Sequence, residues 1–151
     1  MESKNKKKED AMVKDTAKIV EELKLCDDFQ TFYDENREWI VQDDLAALLE
    51  KLIQKHGLKK SEVIRSSEIH STYAYQIFSG VRVPERKKLL CLALAMRLDL
   101  TEVQTLLKCA GYAPLYVKLP FDAVVLFGVC KKMSVMAVNE TLFDYGLETL
   151  G

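Results

Sequence analysis

Leu45, Leu48, Leu49, Leu52 and Ile53 recur at i, i+3, i+4, i+7 and i+8, a spacing that only an α-helix gathers into one apolar stripe. Asp43 or Asp44 can cap this helix and Gly57 can end it. The same three- and four-residue rhythm runs through most of the chain, and alternation is rare. With six glycines and three prolines in 151 residues, the expected fold class is all-α. A chain of this length buries one core and is too short for two large domains.

Further helices follow from local signals. One covers about 60–66, with Val63 and Ile64 inward, and another about 71–78, stopped at Gly80. Pro84 opens a helix over about 85–98 whose apolar residues leave little polar face beyond the first turn, so it should be the central one. Asp99 and Glu102 are spaced as a capping box for the next, with Val103, Leu106, Leu107 and Ala110 inward until Gly111. Two more helical stretches cover about 122–131 and 134–145. Sliding the sequence by 35 residues pairs Leu92 with Phe127, Ala93 with Gly128, Arg97 with Lys132, Val103 with Val138, Gln104 with Asn139, and Gly111 with Gly146. The last hairpin therefore echoes the one before it.

The organisation expected from these signals has four parts. Residues 1–14 form a charged, disordered N-terminus, whose lysines offer a DNA-seeking arm as an alternative use, diluted by Glu2, Glu9 and Asp10. Residues 15–41 form an N-terminal extension of short helices, drawing on Ile19, Val20, Leu23, Phe29, Phe32, Tyr33 and Trp39, that clads whatever follows. Residues 42–112 hold a compact helical domain, and 113–151 a C-terminal helical hairpin. That hairpin is the expected dimer surface, and cutting the chain after about residue 120 is expected to leave the rest folded.

Net charge is −1, but from Lys55 to Lys88 eight bases stand against three acids, a local charge of +5. The four cysteines, Cys26, Cys91, Cys109 and Cys130, form no C-x-x-C pair and have only His56 and His70 to join them, so buried reduced thiols are expected rather than zinc. No nucleophile elbow, phosphate-cradling glycine loop or His-centred constellation is present, so neither an enzyme nor a cofactor is expected. No apolar run has membrane-spanning length, and the charged start is unlike a secretory signal, which together predict a cytoplasmic protein without a membrane partner.

The stretch HSTYAYQIFSGVRVP, residues 70–84, carries the functional signal. On a helix Ala74, Ile77 and Phe78 share one face, which turns Ser71, Thr72, Tyr73 and Gln76 outward with Tyr75 at the flank. A glutamine can bind adenine bidentately, and a threonine can touch a thymine methyl or an acceptor. Ser71, Thr72 and Gln76 are therefore candidate base contacts. Lys59, Lys60, His70, Tyr73, Tyr75, Arg82 and Arg86 are candidate contacts to the DNA backbone, where the chain would recross it and where a helix N-terminus offers N–H groups to phosphate.

From Val63 to Pro84 the register resembles the phage-repressor, or XRE, family of helix-turn-helix DNA-binding proteins. Val63-Ile64, Ile69, Ala74 with Ile77, Gly80 and Pro84 match its pattern without insertion or deletion. The resemblance covers about 45–107. It implies a five-helix repressor-like bundle whose third helix reads sequence from the positions named above, extended here by N-terminal short helices and a C-terminal helical hairpin. Three departures stand out. Ile64 is large and Ala74 small where the family has the reverse, Glu68 replaces the customary turn glycine at a cost of about 1 kcal/mol if left-handed, and Lys60 replaces a frequent Gln. The resemblance implies double-stranded DNA as partner, bound by a homodimer on paired half-sites. The alternative is an antitoxin-like or signalling adaptor that grips another protein with the tyrosine-rich face.

Overall fold

The computed structural model describes residues 16–37 and 44–151, and the charged tail and Trp39 lie outside the described residues. Every regular element among the described residues is an α-helix. The chain divides into two units, 1–42 and 43–151. The first holds α1 (Thr16–Leu25) and α2 (Phe29–Asn36). Asp28 caps α2 by accepting from the N–H groups of Gln30 and Thr31. Those bonds hold its carboxyl below the ordinary range, the Thr31 hydroxyl contributing most.

The second unit holds α3 (Leu45–Lys55), α4 (Lys60–Ser67), α5 (Ser71–Ser79), α6 (Arg86–Ala95), α7 (Leu100–Cys109), α8 (Pro120–Cys130) and α9 (Val135–Asp144). Asp44 caps α3 through the Ala46 N–H, and Leu49, Leu52 and Ile53 from its stripe are buried. Helix α6 is central as expected, with Leu89 to Leu94 all buried, because α4 packs on it from one side and α9 from another. The Asp99–Glu102 capping box forms at α7 in both directions, at 2.8 and 3.2 Å.

Hairpin α8–α9 repeats hairpin α6–α7 in hydrogen-bonding detail. At the end of α6, Met96, Arg97 and Leu98 donate to Leu92, Leu94 and Ala93; at the end of α8, Lys131, Lys132 and Met133 donate to Phe127, Val129 and Gly128. Arg97 and Lys132 are both left-handed, with φ of 54° and 55°. The Gln104 side chain holds Leu115, and Asn139 holds Leu150 in the same way. The two hairpins also meet reciprocally, since Arg97 Nη1 donates to the Lys132 carbonyl at 3.0 Å and Lys132 Nζ to the Arg97 carbonyl at 2.8 Å. Contacts of α6 with α9 mirror those of α7 with α8. Such exchange marks an approximate twofold axis between the hairpins.

The second hairpin is not a detachable appendage. Val125, Val129, Val135, Val138, Leu142 and Leu150 belong to the same buried cluster as Leu49, Ile77 and Leu90. Cutting after residue 120 would uncover part of that core. The cysteine expectation needs a correction. Only Cys91 of the four is buried, whereas Cys26 and Cys109 are half-buried and Cys130 is exposed. Burial pushes the Cys91 thiol up to about 11, which makes it inert.

Candidate nucleic-acid interface

Helices α4 and α5 are joined by Glu68, Ile69 and His70, and the tightness of this turn has three causes. Glu68 adopts the left-handed conformation, φ 61°, in the place where a glycine would be unstrained. Ser67 is fully buried, donates from Oγ to the Ile64 carbonyl and accepts from the Ile69 N–H at 3.2 Å. Ile69 itself enters the core. Ile64 and Ala74, the pair with exchanged sizes, are both buried in that same core.

Ala74, Ile77 and Phe78 seat α5, and Ser71 and Thr72 are exposed while Gln76 and Tyr73 are half-buried. Tyr75 is 48% exposed. Gly80, at φ 83°, stops the helix, and the Gln76 carbonyl accepts from the N–H groups of both Val81 and Arg82. These bonds fix the exit of the chain. Beside α5 runs an open groove of about 520 Å³ lined by Lys60, Thr72, Tyr75, Gln76, Phe78 and Ser79.

The basic residues divide into two groups. Lys59 precedes α4, whose first turn has no side-chain cap, and is exposed. Arg82 folds back so that its guanidinium lies 5.5 Å from the centre of the Tyr73 ring. That contact gives Tyr73 a role in holding Arg82. His70 stands at the N-cap of α5 without a side-chain capping bond. Lys60 is partly engaged, at 2.9 Å from Glu50 and over the Phe78 ring.

Arg86 is committed elsewhere, which removes it from the backbone-contacting set. Its two terminal nitrogens each lie 3.1 Å from an oxygen of Asp122, a residue 3% exposed. It also donates to the carbonyls of Ala113 and Pro114, while Asp122 accepts from the Tyr116 N–H and the Tyr112 hydroxyl donates to the Pro84 carbonyl. A forked guanidinium with this many acceptors is a structural clamp. It ties the loop after α5 to the start of α8. Sequence spacing gave no hint of it, because its acceptor lies 36 residues away on another helix.

The local +5 is also smaller in space than along the chain. Lys55, Lys60, Arg86 and Lys87 pair with Glu102, Glu50, Asp122 and Glu148, all outside the basic segment. Lys59, Arg65, Arg82 and Lys88 form no ion pair among the described residues. Among the described residues there is no cluster of three or more His, Cys, Asp or Glu able to hold a metal. None of the helices there is long and apolar enough to cross a membrane. No protein-family model, curated protein or solved structure matches the chain.

Proposed function

We propose that this chain is a sequence-specific DNA-binding transcriptional regulator of the XRE or phage-repressor type. Helix α5 enters the major groove, with Ser71, Thr72 and Gln76 at base edges, and binding occludes or recruits the transcription machinery. Lys59, Lys60 and Arg82 hold the DNA backbone, helped by Tyr75 and His70. The observation that carries this reading is the exposed Ser71 and Thr72 and the half-buried Gln76 on one helix, with Lys60 lining the groove beside them and Arg82 held over the Tyr73 ring. One such helix covers a half-site, so the working form is a cytoplasmic homodimer on paired half-sites about one helical turn apart.

Selection of sites from random duplexes, with the full-length chain and with Gln76→Ala, tests it. The substitution should relax preference at one base position at a cost of about 1–3 kcal/mol. An unchanged preference would remove Gln76 from the base-reading set, and no enrichment by the unaltered chain would remove the function. A second reading, a protein-interaction adaptor, is favoured by the engagement of half the basic segment with acids and by the open groove beside Tyr75. It predicts specific capture of a protein by this face and no duplex binding.

A further inference from the structure

The twofold relation between the hairpins has an unbalanced consequence. Hairpin α6–α7 is covered twice, by α8–α9 across the axis and by α3 and α4 on its other side. Among the helices of the second unit, hairpin α8–α9 has only the first cover. The axis carries α6 onto α8 and α7 onto α9, and no helix of the second unit takes the place equivalent to α3 and α4. The residues record this. Leu92, Met96 and Leu106 are buried, whereas their counterparts Phe127, Lys131 and Thr141 are exposed or half-exposed, and Tyr145, counterpart of half-buried Ala110, is 75% exposed. Phe127 is 54% exposed with the Lys131 ammonium 5.8 Å from its ring centre. Exposed aromatics on a face built for helix packing mark an interaction surface.

We infer that this outer face of α8–α9 is where a second copy of the chain docks, face to face about a twofold axis. Two features select a second copy. First, the face carries both signs of charge, Lys131 on α8 and Asp144 on α9, so a twofold axis sets each lysine against the other copy's aspartate. Second, the same hairpin architecture already pairs isologously within one chain through Arg97 and Lys132. Two short helices side by side, about 16 Å long and about 20 Å across, offer a footprint of roughly 300 Å². This falls short of the roughly 800 Å² per partner of a stable interface, so pairing is weak and reversible. The inference rests on the paired half-site reading for its purpose: two adjacent half-sites would raise the effective concentration and complete the dimer.

Sedimentation equilibrium of the full-length chain, from about 1 to about 500 µM, tests it without DNA. The mass should rise from 17.3 kDa toward twice that value. Phe127→Glu should weaken association at least about tenfold with an unchanged circular-dichroism melt, because the side chain is already largely in water. Lys131→Asp and Asp144→Lys should each weaken it, and the double exchange should restore it. A mass of 17.3 kDa throughout, or a Phe127→Glu chain that pairs like the original, would overturn the inference, as would a double exchange no better than either single one. Phe127→Glu should still bind one half-site; failure of the unaltered chain to bind any duplex would instead overturn the regulator reading and leave the mass result standing.

Discussion

Gly128→Ala should destabilise the folded chain, although alanine is the better helix former. Gly128 is buried in the interior of α8 facing α9, and a Cβ built there lies 2.5 Å from Cγ2 of Val138 and 3.8 Å from Cδ2 of Leu94. Carbon atoms pack best at about 3.5–4.0 Å, so roughly 1 Å must be found. Valine is close to locked at χ1 in a helix, so the relief comes from parting α8 and α9. Overpacking of this kind costs about 1–3 kcal/mol, against a propensity gain of about 1 kcal/mol for alanine. The net loss is about 0–2 kcal/mol, a fall in Tm of up to about 10 °C for a unit of this size. Denaturant unfolding of Gly128→Ala, Val138→Ala and the double variant isolates the contact. The double should be more stable than the sum of the singles by about 1 kcal/mol or more. In the first hairpin the equivalent pair, Ala93 and Val103, is buried together, so an alanine there is accommodated. If Gly128→Ala raised stability by its propensity alone, the close approach of α8 and α9 described above would be wrong.

Two further outcomes follow from single residues. Burial by itself would raise the Glu102 carboxyl, but hydrogen bonds from His56, Lys55 and the Asp99 N–H outweigh it and hold it down at about 2. A carboxyl depressed on folding stabilises above its unfolded value of about 4.5, and that stability is lost as pH falls through the folded value. Glu102→Gln should therefore cost about 2–3 kcal/mol at pH 7, discounted for the exposed lysine, and approach parity near pH 2; a pH-independent difference in urea unfolding would refute the assignment. Glu68→Gly should stabilise by about 1 kcal/mol, because the φ of 61° strains any residue with a Cβ, and a calorimetric Tm that falls would contradict this.

What the sequence revealed, and what it concealed, divides by range of interaction. Helix positions were legible because each rests on neighbours within four or five residues: the Leu45–Ile53 stripe, the Asp99–Glu102 box, the glycine stops at 80 and 111. The left-handed turn at Glu68 stands where the family resemblance has a customary glycine. The 35-residue echo was visible too, but not its twofold geometry, which depends on how Arg97 and Lys132 meet. Position alone makes Arg86, a base just beyond α5, a candidate phosphate contact, and nothing local shows that Asp122 occupies it. The same blindness inflated the basic centre, since Glu50, Glu102 and Glu148 neutralise it from outside the segment.

The central claim is that α5 and its flanking bases meet a DNA backbone, and its most direct test is the salt dependence of binding to a duplex of mixed sequence. With Lys59, Lys60 and Arg82 as the phosphate contacts, log affinity against log salt between about 50 and about 200 mM should fall with a slope of about −2 to −3 per chain, reduced by about one in Arg82→Ala. Binding that is absent, or that does not change with salt while the protein stays folded, would contradict it.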